Sequence, residues 1–314
     1  MIAAPSMKSL TVAGGILKLP TFLPVTTFGG RYPLDSIARP YLREIFPAIM
    51  VSHFYALPMK ERWPQPTFVD SGGFASLFAG STIVDLGDRS GIQTEGGSVT
   101  DPAQVLELQK ERADIGATLD FIVSPDMDET EATLRQNLTI QNALWALHRW
   151  DDDGSFHLFA SLQAWDAPSA TRIVDRLAEH PFTGFALGGM VPRIRTPQII
   201  YEIVSAIRRI DSERPLHVFG VGNPSLVKAL FDHGVDSTDS SSYIKYAASR
   251  KYLDPATGDY ESIAEIERPC DRCDCRICQT FEREYLALEG ELNTMALALH
   301  NLSATRTLLA LSHV

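Results

Sequence analysis

Cysteine is almost absent from this 314-residue chain. All four cysteines lie between Cys270 and Cys278, in the pattern CxxCxCxxC, and no other position carries one. This clustering argues against a disulfide framework spread across a small secreted fold. Neighbouring cysteines this close also pair with difficulty, because a disulfide constrains the Cα separation and the Cβ directions. The segment instead predicts a thiolate cluster around a metal ion, most simply tetrahedral zinc.

Two ligand sets are compatible with this segment. A helix-like apolar pattern follows it from Thr280 to Leu302, with His300 near its end. If that helix folds back, one cysteine is spare and the ligands are Cys273, Cys275, Cys278 and His300. Otherwise all four cysteines bind the metal, and the histidine is a capping or core residue. Neither set leaves an open coordination position, so the site is predicted to be structural.

Long apolar runs are missing as well. No stretch approaches the length that a membrane-spanning helix needs. The segment Met1–Leu19 lacks the charged start and apolar stretch of a signal peptide. We therefore expect a cytoplasmic protein with no membrane partner, whose thiols stay reduced and available to a metal.

Basic residues are fewer than acidic residues. The chain has 28 Lys and Arg against 39 Asp and Glu, which gives a net charge of −11. This balance mildly disfavours a nucleic-acid partner unless basic residues are concentrated locally. Repeats and low-complexity stretches are also absent, and 45% of the residues are hydrophobic. The composition thus predicts a globular protein with a large core, in one domain or two.

Short apolar runs alternate with amphipathic segments along most of the chain. The predicted strands are Ala48–Val51, Thr67–Val69, Phe121–Val123, Leu158–Leu162, Gly184–Leu187, His217–Phe219 and a weak one near Val235. The predicted helices are Pro102–Arg112, Glu131–Arg149, Ser169–Glu179, Thr196–Ile210 and Ser225–His233. This rhythm favours an α/β fold, a TIM-like (β/α)8 barrel over residues 1–262. Residues 263–314 are expected to form an appended C-terminal zinc-binding subdomain that ends in a helix.

Polar residues and glycines mark the ends of several predicted strands. They are Asp70 with the two glycines after it, Gln163, the Gly188–Gly189 pair, Asp236 and Asp239, and Asp120 lies just before another predicted strand. Taken singly, an aspartate at a strand end is often only a helix cap or a turn residue. In a parallel barrel, however, all the carboxyl ends meet at one mouth, where the chemistry takes place. Several carboxylates, an amide and two glycine pairs together predict a site there.

At these positions the chain resembles the tRNA-guanine transglycosylase family. The similarity runs from the Leu19–Pro24 segment to the end at His300-Asn-Leu302. Its most specific elements are the DSGGF motif at Asp70–Phe74, the CxCxxC pattern followed by a helix and HNL, and the Gly234–Tyr243 stretch. These elements occur in the same order along the chain as in the family. The zinc ligands that the resemblance implies are Cys273, Cys275, Cys278 and His300, which leaves the first cysteine outside the site.

The resemblance also implies an activity and a role for each site residue. The family exchanges a guanine in a polynucleotide for a 7-deazaguanine base, so the target nucleotide must be flipped out of its stack. Asp239 would be the nucleophile at the anomeric carbon of the sugar, and Asp70 would be the general acid and base. The residues implied to bind the base are Ser71, Phe74, Asp120, Gln163, Gly188, Gly189 and Met190.

Departures from the family pattern bear on the substrate. Ala75 stands where the family usually has glutamine, and His53 where an asparagine is expected. The segment Gly189–Arg193 has no acid to pair an aminomethyl cation, which favours the neutral base preQ0. The chain is also expected to lack the C-terminal RNA-binding modules of archaeosine-type members, so tRNA and DNA both stay open as the polynucleotide. The candidate phosphate contacts are Lys245, Arg250 and Lys251.

Three other interpretations compete with this one. A non-catalytic family subunit that assists an active paralog is disfavoured because Asp70 and Asp239 are both present. A small-molecule hydrolase with a structural zinc site would explain the acidic surface but not the family motifs. A zinc ribbon that only binds nucleic acid is disfavoured by Asp271 and Asp274, since acids repel phosphates. The expected partners are a nucleic acid, a free 7-deazaguanine base and a second subunit, identical or not.

Overall fold

The computed structural model describes residues 8–13, 15–151 and 153–311. In chain order, the strands within these ranges are β1 (Ser9–Val12), β2 (Gly15–Lys18), β3 (Thr21–Thr26), β4 (Ile49–Val51), β5 (Thr67–Val69), β6 (Thr82–Asp85), β7 (Ser90–Gln93), β8 (Val99–Thr100), β9 (Ile115–Ala117), β10 (His157–Gln163), β11 (Gly184–Gly188), β12 (Leu216–Val218), β13 (Ser237–Ser240), β14 (Lys251–Leu253) and β15 (Tyr260–Ser262).

The helices in the same ranges are α1 (Pro33–Leu42), α2 (His53–Ala56), α3 (Pro102–Arg112), α4 (Glu129–Leu147), α5 (Ala167–Leu177), α6 (Pro197–Ile210), α7 (Pro224–Asp232), α8 (Ser242–Ala248), α9 (Pro269–Arg272), α10 (Arg276–Thr280), α11 (Arg283–Ala287) and α12 (Glu291–Leu308). Short 3₁₀ turns occur at Gly73–Leu77, Val191–Arg193 and Ile263–Glu265. Among these helices, none has the combination of length and apolar character needed to cross a bilayer.

A closed parallel barrel forms the centre of the fold. Its strands follow one another in the order β3, β4, β5, β9, β10, β11, β12 and β13, and β13 pairs with β3 to close the ring. Parallel neighbours need crossover connections, which here are largely helical and bring every carboxyl end to the same face. The predicted TIM-like (β/α)8 architecture is therefore confirmed.

Large apolar side chains fill the barrel. Leu23, Met50, Phe68 and Phe159 belong to one buried cluster between the strands. The hairpin β1–β2 adds its own leucines to this cluster and covers the amino ends of the strands. Because the hairpin covers the opposite end, the carboxyl face is the one that can admit a ligand.

Local signals in the sequence set where the crossover helices begin. Asp101, Asp128, Asp166 and Asn223 each accept a backbone N–H from the first turn of the helix that follows. Proline occupies an early position in three of these four helices, where its missing N–H costs nothing. These caps fix the loops at the carboxyl face from which the site is built.

One strand prediction was wrong, and strand β3 was missed. The segment Phe121–Val123 is not a strand; the strand in this part of the barrel is β9, and Asp120 comes after it instead of before a strand. Strand β9 has only three residues, two of them small, which weakens its hydrophobic pattern. Strand β3 was not predicted because Pro24 interrupts its apolar run, and proline usually counts against a strand.

Two further features differ from the sequence analysis. The helix predicted from Thr280 to Leu302 is the end of α10 followed by two separate helices, α11 and α12. The backbone is extended at Phe281 and Glu282, between α10 and α11, and at Leu288 and Gly290, between α11 and α12. Glycine favours such a break since it is a poor helix former. The three-stranded antiparallel sheet β6–β8, inserted between β5 and α3, was not anticipated.

The last helix is closely joined to the barrel. Helix α12 packs against α8 and α1, and Leu297 lies in the same hydrophobic cluster as barrel-helix residues such as Ile173. The buried Asn301 side chain accepts from Leu253 N (2.9 Å) and donates to Lys251 O (3.0 Å) and Tyr243 O (3.2 Å). It thereby connects α12 to β14 and α8. The division of the chain at residue 262 stays a prediction.

Asn301→Ala is expected to lower the free energy of unfolding by about 3 kcal/mol, because it removes three hydrogen bonds that the buried side chain makes to backbone groups. Asn293→Ala is the matched control, since Asn293 lies on the same helix and makes one bond, to Tyr285 O at 2.8 Å. Urea denaturation of both variants measures the difference. Equal losses would show that the bridge made by Asn301 does not stabilise this junction.

Candidate functional site

Asp70 follows β5 directly and is held by backbone donors. Its Oδ1 accepts from His53 N at 2.7 Å and Gly72 N at 3.0 Å. Gly72 has a φ of +75°, which lets the chain turn over the carboxylate. Burial raises the pKa of Asp70 to about 6, the two N–H bonds oppose the rise, and the nearby Asp239 charge adds to it. Near neutral pH such a carboxyl can both donate and accept a proton.

Asp239 lies on β13 and is held on one side only. Its Oδ1 accepts from Gly220 N at 2.8 Å and lies 3.1 Å from His217 Nε2. Within the described residues, no hydrogen bond reaches Oδ2. One oxygen is thus fixed by two donors, and the other has no hydrogen-bond partner within the described residues.

His217 is a site residue that the sequence analysis missed. It lies on β12, fully buried against the rings of Phe68 and Phe219, with centroids at 4.9 and 4.6 Å. A carboxylate only accepts hydrogen bonds, so Nε2 carries a proton and donates it to Asp239. Nδ1 lies 2.9 Å from the Ser237 hydroxyl. A histidine inside a short apolar run was the available signal, but it also describes an ordinary core residue.

Asp120 and Gln163 form the floor of the candidate pocket, beside Asp70 and Asp239. Asp120 Oδ1 accepts from Ser71 Oγ at 2.5 Å, and its Oδ2 accepts from Gln163 Nε2. Gln163 Oε1 in turn accepts from Val123 N at 3.0 Å. Burial raises the pKa of Asp120, and the bonds from Ser71 and Gln163 act against that rise. The structure therefore brings three of the predicted base-binding side chains into one hydrogen-bonded group.

Glycines let the backbone approach this floor. A Cβ at Gly73 would lie 1.9 Å from Asp120 Oδ1, and one at Gly188 would lie 2.3 Å from Gln163 Nε2. Neither position can accept a side chain unless the floor moves. Met190 is fully buried, whereas Phe74 is 64% exposed.

The candidate phosphate contacts occupy different surroundings. Lys245 lines a cavity next to the Asp239 strand end. The Arg250 guanidinium instead donates to Thr294 on α12, and its Nε and Nη1 are buried. Lys251 opens β14 and is half-buried. Of the three, Lys245 lies nearest to the candidate reacting groups along the chain and in the fold.

Three cysteines and one histidine converge near the carboxyl end of the chain. The ligand atoms of Cys273, Cys275, Cys278 and His300 all lie within 4.8 Å of one another, and Cys270 is not part of the group. His300 Nδ1 points at the thiols, 3.2 Å from Cys278 Sγ, while its Nε2 lies 3.0 Å from Leu253 O. The Tyr252 ring stacks on the imidazole at 3.8 Å. This arrangement could hold a tetrahedral metal ion.

The molecule is thus a (β/α)8 barrel with two carboxylates at its mouth and a Cys3His group beside it. A family model described as queuine tRNA-ribosyltransferase matches residues 6–311. The chain belongs to this family, the tRNA-guanine transglycosylases, and the resemblance inferred from the sequence is confirmed.

Curated relatives come from archaea and bacteria. The tRNA-guanine(15) transglycosylase of Thermococcus onnurineus is 28% identical over 245 residues, covering 76% of this chain and 38% of that protein. The queuine tRNA-ribosyltransferase of Lawsonia intracellularis is 28% identical over 313 residues, covering 88% of this chain and 81% of that protein. The Thermococcus kodakarensis tRNA-guanine(15) transglycosylase is 26% identical, covering 97% and 51%. The chain spans about half or less of these two archaeal relatives.

Asp70→Asn is expected to stabilise the fold above pH 6. The pKa of about 6 exceeds the ordinary value of 3.8, so the folded wild type bears a cost for ionising Asp70 at neutral pH. The variant should be more stable by about 3 kcal/mol at pH 8, and most of the difference should vanish as the pH falls toward 4. Denaturation at both pH values measures it, with the exposed Asp232→Asn as control. A difference independent of pH would contradict the assigned shift.

Proposed function

We propose that this protein is a glycosyltransferase that exchanges a guanine in a nucleic acid for a 7-deazaguanine base. The observation that carries the proposal is the pair of carboxylates at the barrel mouth, in a member of this family. Asp239 has one oxygen fixed and one without a hydrogen-bond partner in the described residues, and Asp70 has a pKa of about 6. The two carboxylates are suited to different tasks, one as nucleophile and the other as acid and base.

In the first half of the reaction, Asp239 Oδ2 attacks the anomeric carbon of the sugar. The bond from that carbon to the guanine nitrogen breaks, its electron pair leaves with the base, and protonated Asp70 supplies the proton. The sugar is then bound to Asp239 as a glycosyl ester. In the second half, Asp70 removes a proton from the incoming base, whose ring nitrogen attacks the same carbon and releases Asp239.

The hydrogen-bonded floor suits a guanine-like ring. Asp120 can accept from the ring N–H and the exocyclic amine, because each of its oxygens can accept a second bond beside those from Ser71 and Gln163. The backbone of Gly188–Met190 would meet the 6-oxo edge of the ring. The exposed ring of Phe74 would cover its face. Donors and acceptors of this arrangement favour guanine-like bases over the other nucleobases.

The incoming base is proposed to be neutral, as in preQ0. The guanidinium of Arg193 lies under this edge of the pocket, where it donates to Gly189 O (2.5 Å) and Val123 O (3.1 Å). An aminomethyl cation placed here would meet a second buried positive charge and would bear a desolvation cost. A nitrile substituent avoids that cost.

The polynucleotide is proposed to be tRNA or DNA. The names of the curated relatives refer to tRNA. The chemistry itself requires only an accessible anomeric carbon, and contacts to the 2′-OH would decide between RNA and DNA. We propose that the protein acts in the cytoplasm, as a homodimer or with a partner subunit that holds the rest of the strand.

Zinc is proposed as the occupant of the Cys3His group. Thiolate and imidazole ligands at mutual distances below 4.8 Å match the spacing around a tetrahedral zinc ion. All four positions are filled by protein ligands, so the metal would fasten the terminal helices and take no part in the exchange. The bond from His300 Nε2 to Leu253 O fixes which ring nitrogen faces the metal.

The exchange assay uses labelled guanine with tRNA and with DNA, followed by mass spectrometry of the digested nucleic acid. Asp239→Asn and Asp70→Asn should each lose activity by several orders of magnitude, since each removes a reacting group. His217→Phe keeps the ring volume but loses the donor to Asp239, and should lower kcat by about 10- to 100-fold with little change in KM. Asp126→Asn, an exposed acid, is the control.

Failure of the wild type to exchange guanine into either nucleic acid would refute the proposal. A non-catalytic subunit would then be the better account. Activity retained in Asp239→Asn would refute the assignment of the nucleophile alone.

Cys275→Ser is expected to abolish metal binding and to yield poorly folded protein, because the binding free energy of a structural metal contributes directly to folding. Cys270→Ser, on the same segment but outside the group, should keep about one zinc per chain. Elemental analysis of the purified proteins and their thermal unfolding provide the measurements. Equal metal loss in both variants would instead favour a four-cysteine site.

A further inference from the structure

A cleft of about 500 Å³ opens among the loops that follow β9, β10 and β11. Its lining comes mainly from residues 123–127, 165–166 and 192–196. Among the described residues, neither reacting carboxylate lines it, and the exchange of the base gives it no task. Its volume is within the range of small-ligand pockets. We call it the Arg193 cleft, after the one buried cation in this lining.

The Arg193 guanidinium uses one of its arms for the protein. The side chain is only 5% exposed, and Nη1 donates to Gly189 O at 2.5 Å and to Val123 O at 3.1 Å. Within the described residues, Nε and Nη2 make no hydrogen bond. These two nitrogens form the fork with which an arginine binds two acceptors side by side. The side chain is therefore fixed on one edge and free on the other.

The positive charge of Arg193 also has no counter-charge in the described part of the chain. Burial lowers the pKa of this guanidinium, and no neighbouring carboxylate raises it. Buried charges in proteins are normally paired, because an unpaired one costs desolvation free energy. A free donor fork on an unpaired buried cation, in the lining of a cleft, indicates a ligand with two adjacent acceptor atoms.

The walls of the cleft suit a flat ring. Trp165 is half-buried and lines the cleft, and the Arg172 guanidinium carbon lies 5.2 Å from its ring centroid. Pro125 and Pro192 add exposed apolar surface. Nucleobases stack on aromatic side chains in this manner.

Two exposed carboxylates, Asp166 and Glu129, complete the lining. Asp166 Oδ1 accepts from Ser169 N at 2.8 Å as the cap of α5, and its Oδ2 has no hydrogen bond within the described residues. Two acids against one cation disfavour a phosphate, since like charges repel. They favour a neutral ligand that has donors as well as acceptors.

We propose that the Arg193 cleft is a second guanine-binding site, separate from the pocket in which the base is exchanged. Nε and Nη2 donate to O6 and N7, the bidentate contact by which arginine recognises guanine. The ring lies against Trp165, and Asp166 accepts from the N1–H and the exocyclic amine. A 7-deazaguanine has a carbon in place of N7 and loses one of the two bonds. The cleft thus distinguishes guanine from the base that replaces it.

The first test measures binding in Asp120→Asn, in which the exchange pocket has lost its acceptor for the base. Calorimetric titration should show guanosine bound about tenfold more tightly than 7-deazaguanosine, since one of two paired hydrogen bonds is missing from the latter. The wild type saturated with preQ0 provides a second measurement without any variant. There the exchange pocket is filled by a base that the cleft rejects, and the same preference is expected.

Asp166→Asn, made in the same background, tests the donor edge. Asparagine caps a helix as well as aspartate does, so the fold is kept while the carboxylate is lost. Guanosine should bind about tenfold more weakly, and its advantage over inosine, which lacks the exocyclic amine, should disappear. Asp128→Asn is the matched control, because Asp128 is an exposed cap that accepts from Glu131 N at 2.9 Å and is not part of the lining.

A guanine of the bound strand and a free guanine offer the same chemistry, and oligonucleotides separate them. In RNA and DNA strands, each guanine other than the target is replaced in turn by 7-deazaguanine. A position at which the replacement weakens binding about tenfold assigns the cleft to the strand. A preference seen with nucleosides and at no position of the strand assigns it to free guanine.

The proposal is overturned if guanosine and 7-deazaguanosine bind equally, or if Asp166→Asn binds like Asp128→Asn. Displacement of guanosine by inorganic phosphate would also overturn it, because the cleft would then be an anion site. Guanine exchange by the wild type without the preference for guanosine would leave the proposed function standing and refute this inference. The preference without any exchange would do the reverse.

Discussion

The proximity of two carboxylates at one end of a closed barrel is the constraint on which the rest of the site depends. Burial and the charge of Asp239 together raise the pKa of Asp70 to about 6. The two groups differ because their hydrogen-bond donors differ: backbone N–H groups hold Asp70, whereas a backbone N–H and a buried imidazole hold Asp239. The barrel creates this difference, because Asp70 follows β5, His217 lies on β12 and Asp239 lies on β13.

The surrounding structure keeps these parts in place. The hairpin β1–β2 covers the amino end, so the polar residues are confined to the carboxyl face. Helix α12, connected through Asn301 to β14 and α8, packs against α8, the helix that follows the strand carrying Asp239. His300, on the same helix, belongs to the Cys3His group, which could hold a metal ion. This region thus packs against the barrel from outside.

The sequence predicted the barrel class and the aspartates at strand ends, because those features depend on local patterns. It left two ligand sets open for the cysteine segment, and the family resemblance favoured the Cys3His group that the structure brings together. It missed β3 and misplaced the strand near Asp120, since a proline and small residues weaken the apolar periodicity there. His217 could not be recognised because its role arises only when β12 and β13 pair and bring it to Asp239. The Arg193 cleft likewise depends on loops far apart in the chain.

The most direct test of this account is to trap the sugar on the protein. Incubation with a guanine-containing tRNA or DNA, without an incoming base, is followed by denaturation and mass mapping of protease fragments. The account predicts a covalent adduct on the peptide that contains Asp239, absent from Asp239→Asn and reduced in His217→Phe. An adduct on another residue, or one that persists in Asp239→Asn, would contradict it.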